Sequence, residues 1–329
     1  MPLGTTIRYN IARAHELKGE RATAEAMYKQ LVKDHPTYIE SYLRLGCMLR
    51  DQGRKNKASD WFKEALSVDV SDYRTRSLLG NLHLSKGEII PAQKMFESIN
   101  KDSKEKTKRE DMYAQVALGS LFHQSASTAK RNDPKGAQKH ADYLRRAQDL
   151  YAKALKLDGR NMYAANGIGC VLAERGHVNE ARQIFVQVRE ATGDMPFIWD
   201  NLAHTNLQQK QYVNAIKMLK TCQARFFGGR DVDVYISIAR AYFLSNDFAM
   251  AAKTLRKALH ITPTDSETEY NIGLCEQKVA VAVLKDTKSD TTQLLMAKRS
   301  AKMAERIFTM LAQSNDKHTK YSKTLAKMY

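Results

Sequence analysis

Set against itself at an offset of 34 residues, the chain brings its small side chains into register, and that period limits the fold more than any other feature. In a unit starting at Ile39, position 8 is Gly46, position 15 Gly53, position 20 Ala58, position 24 Phe62 and position 27 Ala65. The same frame started at Thr5 gives Ala12, Gly19, Ala24, Tyr28 and Leu31, and started at Tyr73 gives Gly80, Gly87, Ala92, Phe96 and Ile99. Positions 4, 7, 8 and 11 share one face of a first helix, and positions 20, 24 and 27 share one face of a second, because helical neighbours recur every three or four residues. Two helices cross closely only where positions 8 and 20 are Gly or Ala, and an aromatic at 24 fills the space beside them.

A unit of this length and pattern is a tetratricopeptide repeat, and eight of them account for almost the whole chain. The fourth starts at Met112 with Gly119 at position 8, but its second helix is delayed to Ala147, Tyr151 and Ala154 by a 16-residue insertion. Further units start at Met162 (Gly169, Gly176, Ala181, Phe185), Pro196 (Ala203, Ala215, Leu219) and Val232 (Ala239, Ala251, Leu255, Ala258). The last starts at Ser266 with Gly273 and resumes after a 19-residue insertion at Ala304, Phe308 and Leu311. The expected fold is an all-α, right-handed tetratricopeptide-repeat superhelical solenoid. One solenoid over 1–329 comprises repeats one to three (5–106), repeat four with its insertion (112–161), repeats five to seven (162–265), repeat eight with its insertion (266–318) and a terminal capping helix (319–329). The opposite end has no such cover, as expected of a piece of a longer array or of a face where a partner docks. Gly46, Gly80, Gly119, Gly169, Ala203, Ala239 and Gly273 are the expected packing positions.

Residues 161–176, "NMYAANGIGCVLAERG", hold Gly167 and Gly169 two apart, as a phosphate-cradling loop might. That reading needs a buried strand before the first glycine and a third glycine at 172, where Leu172 stands. Within the repeat Gly169 is a packing glycine and Gly176 a helix terminator. Catalytic motifs are absent: no G-x-S-x-G, no P-loop and no H-E-x-x-H. Cys47, Cys170, Cys222 and Cys275 stand far apart without a C-x-x-C pair, so they read as buried or semi-buried thiols in a reducing compartment, with no metal or cofactor site. His83 at position 11 reads as a packed imidazole, and Trp61 and Trp199 read as packing aromatics.

First helices line the inner wall of such a stack, with positions 2, 5, 9 and 12 facing the groove. Those positions give Arg13, Arg50, Arg74, Asn81, Tyr113, Tyr163, Asn166, Phe197, Asp200, His204 and Arg240 as a candidate partner-binding set. Aromatic, amide and cationic groups in that mixture suit a peptide with acidic and apolar side chains. The runs "KDSKEKTKRE" (101–110) and "AKRNDPKGAQKHADYLRR" (129–146) coincide with the linker and the first insertion and read as solvated loops. Lys and Arg outnumber Asp and Glu by 53 to 36, a net charge of +17, which favours acidic partners and makes weak direct nucleic-acid contact the competing reading. No apolar run approaches a membrane span, so a soluble chain without membrane contact is expected.

Particular words carry a narrower likeness. "TYIESYLRLGCMLRDQG" with "ASDWFKEAL", "LLGNLHLSKGE", "NMYAANGIGCVLAERG" with "EARQIFVQVREAT", and "WDNLAH" with "QKQYVNAIKMLKTC" resemble the tetratricopeptide subunit of the RNA polymerase II-associated factor (Paf) complex, the cln-three-requiring-nine family. The similarity runs from about residue 7 to 284 and weakens over 101–146 and after 285. Family members are longer, so the resemblance implies a fragment of the repeat array. It further implies a nuclear, non-enzymatic scaffold that holds the other subunits of that complex on elongating RNA polymerase II and supports transcription-coupled histone modification. No family binding motif maps onto the groove set.

Overall fold

The computed structural model describes residues 3–108, 110–129, 133–192 and 195–313, and these divide into two compact units, 1–171 and 172–329. The described residues form sixteen α-helices and no strand. The fold is all-α and built of tetratricopeptide hairpins.

In the first unit the hairpins are α1 (Leu3–Leu17) with α2 (Arg21–Asp34), α3 (Ile39–Asp51) with α4 (Lys55–Val68), α5 (Tyr73–Ser85) with α6 (Ile89–Thr107), and α7 (Met112–Thr128) with α8 (Pro134–Leu157). The division between units falls inside α9 (Met162–Glu174). The second unit holds α10 (Val178–Thr192), then the hairpins α11 (Pro196–Gln208) with α12 (Tyr212–Phe226), α13 (Val232–Leu244) with α14 (Phe248–Ile261), and α15 (Ser266–Lys285) with α16 (Thr291–Gln313). From α1 to α8, and again from α10 to α16, each helix packs on its neighbours in sequence.

Aspartates start many of these helices by accepting an otherwise unpaired backbone N–H. Asp111 takes that of Ala114 at 2.8 Å, Asp231 that of Val234 at 2.9 Å and Asp72 that of Thr75 at 2.9 Å. In the hairpins of repeats two, three, four and eight the position-24 aromatic is buried against the position-8 glycine. Phe62 and Phe96 are wholly buried, and a Cβ placed on Gly46 would lie 2.4 Å from the Phe62 ring, one on Gly80 2.8 Å from Phe96. By the same geometry a Cβ on Gly119 would lie 2.7 Å from the Tyr151 ring and one on Gly273 2.9 Å from Phe308. Ala203 and Ala239 are 0% and 2% exposed, and Gly169 is buried in α9.

Gly167 is the surprise of that helix. A Cβ there would stand 2.4 Å from the Tyr151 ring, so one tyrosine is flanked by glycines from α7 and α9. The glycine pair that hints at a phosphate loop therefore lies mid-helix, with Gly167 facing an aromatic ring.

Two expectations need correction. The second helix of repeat four does bury Ala147, Tyr151 and Ala154, but it starts well before them: α8 begins at Pro134, capped by Asp133, which accepts the Gly136 N–H at 2.5 Å. Proline at the first helical position after an aspartate cap is a strong helix start. The insertion lengthens both helices of the hairpin, and the one in repeat eight does the same through α15 and α16. Consequently most of the described residues of the basic runs are helical and not loop. Residues 101–107 continue α6, and 134–146 form the first half of α8, where Leu144 is buried. The capping helix expected over 319–329 lies outside the described residues.

Candidate functional site

The first-helix positions expected to face a groove are spread over both units, and each unit is knitted by its own contacts. In the first, Arg74 of α5 pairs with Glu40 of α3 at 2.5 Å and with Asp72 at 3.3 Å. Glu40 stands 34 residues before Arg74, at the same position of the preceding repeat, so corresponding positions of successive first helices meet. The Asn81 side-chain amide likewise donates to the Tyr113 hydroxyl of α7 at 2.6 Å. Tyr113 is nonetheless 46% exposed, and its ring meets Phe96 edge-on. Tyr163 on α9 is 55% exposed, and Asn166 lies one turn further along.

Arg13 belongs to a tighter cluster. Its guanidinium lies 2.9 Å from Glu16, whose carboxylate also receives Arg44 and the hydroxyl of buried Tyr28, the latter at 2.9 Å. Burial pushes the Glu16 carboxyl up, but the hydrogen bonds from Arg44, Arg13 and Tyr28 outweigh it and hold the group below the usual carboxylate value. Arg50 pairs with its neighbour Asp51 at 2.9 Å.

In the second unit Asp200 and His204 face each other one turn apart on α11 at 3.5 Å, with Phe197 half-buried nearby in sequence. Arg240 on α13 is exposed and lines a cavity of about 320 Å³ with Ile236, Phe243, Asn271 and Leu274. The structure thus joins Asn81 to Tyr113 and Asp200 to His204. Arg13, Arg50 and Arg74 it joins to carboxylates instead, which spends much of the cationic character expected of them. Glu16 and Glu40 are the members of this wall that pattern reading overlooked. Their signal was available as an opposite charge one repeat away.

The remaining chemistry is quiet. Cys47, Cys222 and Cys275 are buried free thiols and Cys170 is half-buried. Burial pushes Cys222 up to about 11 and Cys275 up to about 12, so both stay protonated at neutral pH and are poor nucleophiles. His83 is paired with Glu88. Trp61 packs between two core clusters, and Trp199 packs edge-on to Phe226 with Arg189 and Arg225 each 5.8 Å from its ring. Among the described residues no group of His, Cys, Asp and Glu is placed to hold a metal ion, and no helix is long and apolar enough to cross a membrane.

Comparison with known proteins matches this geometry to a family. Residues 7–38 and 39–69 each match a tetratricopeptide repeat, and residues 201–316 match a family described as outer membrane lipoprotein. Among solved structures, a tetratricopeptide repeat protein from Parabacteroides merdae superposes with a TM-score of 0.64 at 15% identity, covering 82% of this chain and 98% of its own. The Cut9–Hcn1 hetero-tetramer of APC/C gives 0.63 at 16% identity over 80% of this chain and 48% of its own. These two share the fold. Sequence relatives are nearer: the RNA polymerase-associated protein CTR9 of Caenorhabditis elegans is 35% identical over 96% of this chain, and the CTR9 homolog of Arabidopsis thaliana 32% identical over 95%. The chain spans 27% and 28% of the lengths of those two relatives. With its repeats in the tetratricopeptide frame and its likeness to those proteins running nearly end to end, the chain belongs to the CTR9 family of tetratricopeptide-repeat proteins.

Proposed function

We propose that the chain is a non-enzymatic protein-interaction scaffold of the nucleus, which helps assemble the polymerase-associated factor complex on elongating RNA polymerase II and so supports transcription-coupled histone modification. The observation that carries this reading is the near end-to-end similarity to proteins named as RNA polymerase-associated. The architecture agrees with it. Hairpins locked by glycine and aromatic contacts make a stiff support, and rigid supports lose little entropy when a partner docks. Their first helices present exposed Tyr113 and Tyr163 in the first unit and exposed Arg240 in the second, residue types that dominate binding energy at protein interfaces.

Affinity purification of the tagged chain from nuclear extract, with crosslinking and mass spectrometry, tests the proposal. Polymerase and its associated factors should be recovered, with crosslinks that diminish when Tyr113, Tyr163 and Arg240 are changed to Ala. Recovery of nucleic acid alone, lost at modest salt, would overturn it in favour of direct phosphate binding.

A further inference from the structure

One group of positive charges in the second unit lies off its first helices. Helices α12 and α14, the second helices of successive repeats, contain no Asp or Glu. Lys217 and Lys220 on α12 and Lys253 and Lys257 on α14 stand three and four residues apart, a spacing that sets each pair on one helical face. All four are exposed, and none is paired with a carboxylate of the described residues. Arg256 between them is different, since it pairs with Glu276 of α15.

These lysines border two adjoining hollows. One, of about 570 Å³, is lined by Lys220, Gln223, Tyr235, Tyr242, Lys253 and Lys257. The other shares Lys220, Ala224 and Tyr242 with it and adds Val213, Ile216 and Lys217. No lining residue of either is acidic, and Val213 is 79% exposed. Gln223 supplies an independent sign of a missing ligand. It is 5% exposed and donates to the Asp231 carbonyl at 2.9 Å, yet its buried side-chain oxygen accepts nothing. Buried acceptors are ordinarily satisfied, and leaving one bare is costly.

We propose that this face docks an acidic polypeptide segment. Its carboxylates lie on Lys220, Lys253 and Lys257, an apolar side chain rests on Val213 and Ile216, and a backbone N–H reaches the Gln223 oxygen. One feature selects a peptide over DNA: a deoxyribose-phosphate backbone carries no donor for Gln223, whereas every peptide unit but proline's does. None of the eleven first-helix candidates lines these hollows, so the proposal stands or falls independently of the wall.

Fluorescence anisotropy on the whole chain tests it, with a short labelled peptide in which Glu alternates with Leu. The same peptide with Gln for Glu and an oligodeoxythymidine of equal length are the comparisons. The wild-type chain should bind the acidic peptide best. Changing Lys220, Lys253 and Lys257 together to Glu should weaken binding by about ten- to a hundredfold, the range expected for reversing exposed charges at an interface. An equal reversal at Lys57, Lys63 and Lys94 should leave it unchanged, and circular dichroism should show both variants folded. Gln223→Met should weaken binding several-fold. Equal binding by the first triple variant would overturn the proposal. So would equal binding of the Gln peptide, or tighter binding of the oligonucleotide.

Discussion

A single methyl group tests the packing at Gly46. Its hydrogen faces Phe62, which is wholly buried and has nowhere to retreat, so Gly46→Ala should cost about 1–3 kcal/mol, visible as a lower denaturant midpoint at unchanged slope. Phe62→Leu added to it should restore part of the loss; a Gly46→Ala chain as stable as wild type would mean that the ring is not held there. This contact was legible in the sequence because glycine and aromatic recur at fixed positions. Gly167 was not, since its place in the repeat carries no rule, and only the three-dimensional path of Tyr151 shows that the ring fills two gaps at once. Glu16 offers a second test. Its carboxyl is held below its ordinary value of 4.5 in the folded chain, so the cluster with Arg44, Arg13 and Tyr28 contributes fully above that value and is lost as pH falls through the lower folded one. Glu16→Gln should therefore destabilise at neutral pH by about 1 kcal/mol, given the partial exposure of the cluster. The gap to wild type should close progressively below pH 4.5, and a gap independent of pH would assign the loss to packing instead.

At the scale of the helical hairpin, one turn conformation joins the two helices of a repeat, and its residue decides how much strain the turn holds. Position 15 is left-handed at Gly176 (φ +88°), and the next two repeats place Lys210 (φ +60°) and Asn246 (φ +65°) there. Glycine has no Cβ to clash in that region, asparagine tolerates it through local hydrogen bonding, and lysine does neither. Lys210→Gly should thus stabilise the chain, by about 0.5–1 kcal/mol once the added freedom of the unfolded chain is subtracted. Thermal melting reads the change, and a drop in melting temperature would show that the lysine chain earns its place through contacts elsewhere. Hairpin boundaries were legible wherever the period held. They failed at repeats four and eight because an insertion inside a repeat shifts the frame without saying whether loop or helix absorbs it. The aspartate and proline at 133 and 134 held the answer locally, and charge content, which suggested a solvated loop, does not oppose a helix with one buried stripe through Leu144 and Tyr151.

For the molecule as a whole, net charge was readable from composition, but its placement was not. Most of the described residues of the conspicuous basic runs lie in α6 and α8, whereas the lysines of α12 and α14 form no run at all, being brought side by side only when two repeats stack. Arg13, Arg50 and Arg74 of the first helices meanwhile face carboxylates one turn, one residue and one repeat away, so a charge total says little about where an anion lands. Distribution and amount separate in one experiment on immobilised heparin, an acidic polymer that samples the whole surface. The variant with Glu at 220, 253 and 257 and the variant with Glu at 57, 63 and 94 carry the same net charge. If retention followed net charge, the two would elute together. Because like charges focused on one uninterrupted face release more counterions on contact than the same number scattered, the first variant should elute at clearly lower salt, and the second close to wild type. Co-elution of the pair would show that the lysine face does not dominate the field of the molecule. An acidic segment would then have no electrostatic reason to prefer that face over any other.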